Sequence, residues 1–269
     1  MKVSKILLYD EPSIREIQIS NLKNFLLETF LVDVEIKKCI FNNLDEKIIE
    51  RISGCRIFDP KLPFKEHLPN RQEIDFEKSV CKDTVLMENT TKVEDAERIE
   101  DVVMYDGFEI QNIIHDIVTE NDTNPNNLHI VFTNKLVCTY DITDNRYHGR
   151  AVICSNPAII STTGMIEAPA RSREYYFDAM KCKMEGLDIQ NVKKNHEGEF
   201  LVYCDKRLSK ITEGYLLQAI FYYITGDAFC NSLDCRLNNA HWQKDLLYSQ
   251  LKIGKLCNKH QALLDKLHL

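Results

Sequence analysis

The chain begins with a short apolar run, KILLY at residues 5–9, which suits a buried strand, and Asp10-Glu11-Pro12 ends it as a turn. Apolar residues then recur at helical spacing over 14–30, at Ile14, Ile17, Leu22, Phe25, Leu26 and Phe30, and residues 32–37 alternate as a second strand. A β-α-β opening of this kind predicts neighbouring parallel strands joined by a right-handed crossover. Further helical patterns cover 44–52 and 108–118, the latter with His115 packing at its edge. After the turn NDTNPNN (121–127), Ile130, Phe132, Leu136, Cys138 and Tyr140 alternate with a break near Asn134, which predicts two strands or one with a kink. TDNRYHGR (143–150) reads as a turn, and AVICS and AIISTTGMIEAP read as strands, so antiparallel pairing is expected in this half. A helix is expected over 173–184, and FLVYC (200–204) as a short strand.

The next stretch organises the chain. Residues 211–226, ITEGYLLQAIFYYITG, are apolar on nearly every face, so this helix belongs inside a core. Ser209 is its expected N-cap, Glu213 suits the positive end of its dipole, and Gly226 is the expected left-handed stop. Directly afterwards come Cys230, Cys235, Cys257 and His260, spaced C-x4-C, then 21 residues, then C-x2-H. Two short ligand hooks separated by one supersecondary unit are the usual layout of a closed tetrahedral zinc site.

Composition narrows the choice of function. With 269 residues the chain has ample core for one large domain or two small ones, and 44% hydrophobic with 28% charged residues is ordinary for a globular protein. A net charge of −7 speaks against nucleic acid as a partner, because phosphate binding needs clustered Lys and Arg. No apolar run approaches a membrane span, and the first residues have too short an apolar core for a signal peptide. Ten cysteines without a secretory signal point to a reducing compartment, the cytoplasm. Pro60, Pro63 and Pro69 and the acidic run 71–105, with Glu94, Asp95, Glu97, Glu100 and Asp101 crowded together, predict an irregular or acidic insertion over 60–107.

The stretch from 211 to 260 resembles the C-terminal part of an archaemetzincin, a zinc metallopeptidase of the metzincin group. That family carries HExxHxxGxxHC on its active-site helix, then C-x4-C-x-M and a later C-x2-C that complete a structural zinc. Aligning its cysteine with Cys230 puts the motif glycine on Gly226, the next ligand on Cys235, the Met-turn methionine on Leu237 and the final pair on Cys257 and His260. The three histidine positions hold Ala219, Tyr223 and Phe229, and the general-base position holds Ile220. The resemblance therefore implies the scaffold and a structural zinc and argues against the usual catalytic zinc. LLYDEPS, STTGMIEAPA, YYITGDAFC and NAHWQ are also similar to an archaeal family labelled as metallopeptidases, over most of the chain. The fold so implied is α+β: one metzincin-like domain over 1–269, a mixed twisted sheet with packed helices, and a zinc-knuckle subdomain at 226–269.

On such a scaffold the edge strand and the loop after the active-site helix border a cleft. His148, Arg150, Glu167, His241 and Trp242 are placed to line it. His148, Glu167 and His241 could hold a second, catalytic metal or act as an acid/base pair, making the chain a divergent metal-dependent hydrolase. The alternative is an inactive pseudoenzyme that binds peptides or a protein partner in the inherited cleft. Phosphate loops, nucleophile elbows and dinucleotide fingerprints are missing, and Ser161-Thr162-Thr163-Gly164 is only a weak anion-binding pattern.

Overall fold

The computed structural model describes residues 3–10, 15–82, 102–120, 122 and 124–267, with side chains omitted for 80–82. The first half runs β1 (Lys5–Tyr9), α1 (Ile19–Phe30), β2 (Asp33–Lys37), α2 (Glu46–Gly54), α3 (Arg71–Lys82), β3 (Met104–Asp106) and α4 (Gly107–Thr119). Five strands follow: β4 (Asn127–Thr133), β5 (Leu136–Asp141), β6 (Arg146–Gly149), β7 (Val152–Ile153) and β8 (Ala158–Ser161). The rest is helical: α5 (Thr162–Glu167), α6 (Arg173–Met184), α7 (Gln190–Asn195), α8 (Leu208–Thr225), α9 (Gln243–Leu247), a π-helical turn at Tyr248–Ile253 and α10 (Asn258–Leu267).

The fold is α+β, as the sequence patterns and the resemblance led us to expect. The main sheet has the order β2-β1-β4-β8-β7, with its first four strands parallel and β7 antiparallel at the edge. A smaller mixed sheet, β3-β5-β6, stands beside it. The period-two alternation sorts the main sheet's side chains between two cores. Ile6, Leu8, Val34, Leu128, Ile130, Phe132 and Ile160 pack against Leu22, Leu26 and Phe30 of α1 and the buried face of α8. On the opposite face Val131 and Ile159 meet Ile110, Ile113 and Ile114 of α4, together with Val137 of the small sheet. No helix among the described residues is long and apolar enough to cross a membrane.

Several local expectations need correction. The first helix starts at Ile19, because the Gln18 carbonyl accepts the Asn21 and Leu22 amides and Gln18 itself is extended. Residues 146–149 are strand β6, paired with β5, and Tyr147 turns inward to donate to Asp106 at 2.6 Å. The strand expected through 158–169 stops at Ser161, whose hydroxyl accepts the Gly164 amide at 2.9 Å and starts α5. FLVYC is irregular: side chains satisfy its backbone, with the Leu201 amide on Gln243 and the Phe200 carbonyl on Arg207. His115 is exposed on α4.

The region expected as an irregular insertion, 60–107, contributes α3 and β3, and the crowded acidic residues 94–101 lie outside the described residues. From α3, Glu77 enters the protein completely. It meets Lys135, Arg56 at 3.1 Å and the Tyr105 hydroxyl at 2.7 Å. Burial works against its charge, but these partners hold its carboxyl below the ordinary value.

The break near Asn134 is a change of sheet. Thr133 ends β4 in the large sheet and Leu136 begins β5 in the small one. The hydroxyls of Thr162, Thr163 and Ser161 donate to the carbonyls of Thr133, Asn134 and Lys135 at 3.1, 2.6 and 2.7 Å. The SerThrThr run is thus a brace for this corner.

Candidate metal centre

The centre depends on where α8 ends. The helix begins at Leu208, with the Leu208 amide on the Asp205 carbonyl, so Ser209 lies inside the first turn and is not the N-cap. Residues 214–221 are buried without interruption, while Tyr222 and Phe229 are 39% and 38% exposed, so the helix emerges from the core only at its last turn. Gly226, at φ 80°, closes it in the left-handed region that glycine enters without penalty.

The chain then folds back on itself. The Cys230 amide donates to the Leu237 carbonyl at 2.8 Å, and Asn238 reaches the carbonyls of Cys230 and Ser232 at 3.2 Å each. This loop presents Cys230 and Cys235; the first turn of α10 presents Cys257 and His260. One ligand atom from each of the four lies within 4.8 Å of all the others. His260 Nδ1 is 3.1 Å from the Cys257 sulfur and 3.5 Å from the Cys235 sulfur. A tetrahedron with zinc–sulfur bonds of about 2.3 Å and a zinc–nitrogen bond of about 2.0 Å puts sulfur and nitrogen roughly 3.5 Å apart, so the donor set fits that ion.

The electrostatics suit a cation as well. Burial opposes ionisation of Cys257, yet the His260 and Lys259 amides and the neighbouring thiols bring it below its ordinary value. Burial pushes the Cys235 thiol up to about 12 in the absence of a cation. Burial also lowers the His260 pKa, which favours the neutral imidazole that a metal needs, and the ring stands edge-on to Phe221 of α8.

Three residues that sequence reasoning passed over, or assigned differently, hold this loop to α8. Arg236, 4% exposed, donates to Glu213 at 2.9 Å and to the Lys210 carbonyl at 2.6 Å. Glu213 therefore pairs with the loop rather than with the helix dipole. Gln250, on the π-helical turn, accepts from Arg236 Nε at 3.2 Å and donates to the Arg236 carbonyl at 2.7 Å. It lies so close to α8 that a Cβ on Gly214 would sit 1.8 Å from its side-chain oxygen. A charged residue between two ligand positions was the one available sequence signal; Gln250 gave none. Gln218 of α8 adds a bond to the Asn238 carbonyl at 3.1 Å, one residue before NAHWQ.

The other candidate residues form no metal-holding group with one another. His148, on β6, stands 2.9 Å from Asp144 in an exposed group with Asp141. Arg150 donates to Thr139 at 2.7 Å. Glu167 ends α5 beside Tyr203 and Arg171. His241 is exposed and Trp242 is half-buried between two backbone bonds, one from the Ala170 amide to the His241 carbonyl and one from the Gln243 amide to the Ala170 carbonyl. Among the described residues, the only groups of three or more metal-ligating side chains are the Cys/His knuckle and Asp141–Asp144–His148, so His148, Glu167 and His241 share no metal position. At the helix positions of the resemblance, Ala219 and Ile220 are fully buried in the core, Tyr223 donates to the Pro125 carbonyl, and Phe229 turns outward.

A pocket of about 380 Å³ is lined among others by Lys5, Tyr9, Glu35 and Lys37 of β1 and β2 and by Asp122. Beside it the Tyr9 hydroxyl is 3.0 Å from His129 Nδ1, and burial raises the Tyr9 pKa to about 12. These residues are more than a hundred positions apart, so no local motif could have indicated them.

Searches of the curated proteins and of the solved structures found no match to this chain. The profile of one family covers residues 2–267. With nearly its whole length matched and a Cys/His cluster in place to take a metal, the chain belongs to the family described as "Probable metallopeptidase family (DUF6775)".

Proposed function

We propose that this protein is a metzincin-like member of its family in which Cys230, Cys235, Cys257 and His260 hold a structural zinc ion, and in which the helix that usually carries the peptidase centre has been given over to packing. Its role is then to bind a peptide or protein partner in the inherited cleft, in a reducing, cytoplasmic setting. The observation that carries this reading is the contrast along α8. The four knuckle donors lie together beyond its C-terminal end, while Ala219 and Ile220 are fully buried among apolar neighbours. A zinc-activated water needs ligands with lone pairs and a base to take its proton, and alanine and isoleucine offer neither.

Three thiolates and an imidazole fill a tetrahedral shell and leave no position for water, so the ion would contribute stability and couple to folding of the loop through Asn238. None of the nine described cysteines is in a disulfide. The divergent-hydrolase reading requires His148, Glu167 and His241 to share a metal, and among the described residues these three form no metal-holding group.

Metal analysis of the purified protein, alongside a peptide-cleavage screen, tests the proposal. One zinc per chain, lost in Cys230→Ser, together with no cleavage, is the expected result. A second tightly held metal with peptide turnover would overturn the binding role, and absence of zinc from the wild-type chain would remove the staple.

A further inference from the structure

The helix α6 buries only a narrow side. Tyr175 and Cys182 face inward to the small cluster with Val192 and Phe200. The opposite side is unusually apolar: Tyr176, Phe177, Met180 and Met184 are 51%, 63%, 57% and 82% exposed. At about 100° per residue these four fall in one stripe roughly 100° wide, the width of a face made for packing, with the exposed Arg173 on the same sector at its N-terminal end. Leu187, 60% exposed, extends it past the helix end. Singly exposed apolar residues need no explanation, but a contiguous stripe on a regular helix does.

The charges beside the stripe indicate what covers it. Glu174 and Lys181 are both exposed, two turns apart on the same flank, and neither forms an ion pair within the chain among the described residues. A two-fold axis that sets two such helices face to face and antiparallel brings each flank against its own copy with direction reversed. Centred between Phe177 and Met180, that arrangement places Glu174 of each copy beside Lys181 of the other, and the aromatic rings against the methionine side chains. Lys183, on the other flank, is carried away from its symmetry mate. A chain of net charge −7 is poorly suited to an anionic lipid surface, the other partner such a stripe could meet.

We propose that the exposed stripe of α6 is a self-complementary contact through which two copies of this chain pair with their α6 helices antiparallel. The contact is small, so the dimer exchanges with monomer. It is independent of the zinc site and of the cleft.

Sedimentation velocity on the full chain over a wide concentration range tests this. The wild type is expected to move from monomer to dimer as concentration rises, and Met180→Asp is expected to weaken association at least ~10-fold. Glu174→Lys alone, which sets lysine against lysine, is expected to weaken it too, and Glu174→Lys combined with Lys181→Glu to restore it. These positions are exposed, and an unchanged circular dichroism spectrum verifies that the variants fold. A wild-type chain that stays monomeric at every concentration overturns the proposal. So does a dimer indifferent to Met180→Asp, or a double variant no better than the single one. Flotation with phosphatidylserine vesicles by a chain that remains monomeric would equally overturn it, in favour of a lipid surface.

Discussion

The Arg236 guanidinium lies 2.9 Å from the Glu213 carboxylate, joining the residue after the second knuckle cysteine to the second turn of α8. Both side chains are largely withdrawn from water, at 4% and 15% exposure. Burial lowers the Arg236 pKa, and the Glu213 carboxylate opposes that effect. Glu213→Ala leaves the guanidinium buried without a counter-charge and is expected to cost about 3–5 kcal/mol in chemical denaturation. Zinc retention should fall with it, since the loop bearing Cys235 loses its anchor.

Gly214 makes a second, independent test of that anchorage. A methyl at this position collides with the Gln250 side chain, whose two bonds to Arg236 prevent it from swinging aside freely. Gly214→Ala is expected to destabilise the chain by about 1–3 kcal/mol. Adding Gln250→Ala relieves the collision, so the double variant should lose less than the sum of the two single losses in a double-mutant cycle.

Among the described residues Glu77 is the ion-pair partner of two cations, the buried Lys135 and the partly buried Arg56. Glu77→Ala is expected to cost about 3–5 kcal/mol, read as a lower denaturant midpoint. Because the folded-state pKa of this carboxyl is depressed, its contribution is present above its unfolded value and is lost as pH falls through the folded one. The stabilisation that this carboxyl supplies should therefore decline as pH falls from the usual carboxylate range toward the lowered folded value, and a Glu77→Ala chain should lack that part of the acid dependence.

His196 works in the opposite sense. Its ring sits 3.0 Å from Asp178 and 2.7 Å from Glu199, and the bonds to Asp178 and then Glu199 raise its pKa above 6.5. The stability it lends to the packing of α6 on the following turn is complete below 6.5 and fades as pH rises through the raised folded value. Ring NMR signals should titrate above 6.5 in the wild type and move down in Asp178→Asn. A His196 that titrates at 6.5 or below would contradict this.

Much of the architecture was readable from residue spacing. KILLY, the alternation around Ile130 and the apolar run before Gly226 each became the element they implied, because in each the period matches one buried face or full burial. The knuckle was readable because ligand spacing within a hook is local: Cys230 with Cys235, and Cys257 with His260. Failures came where a side chain redirected the backbone. Ser161 capped a helix where apolar residues suggested more strand, and Gln243 and Arg207 satisfied FLVYC without a partner strand. His148, Glu167 and His241 could not be placed relative to one another from sequence, since they sit on β6, at the end of α5 and in the loop before α9, far apart along the chain.

Three consecutive hydroxyls on three consecutive carbonyls hold the corner between β4 and β5. One layer cannot peel from the other without stripping all three at once, so the two sheets are geared together. Native-state hydrogen exchange should accordingly find the central amides of β4 and β5 opening in a single step, and an inserted residue at Asn134 would disengage the gear while leaving both strands' own ladders intact.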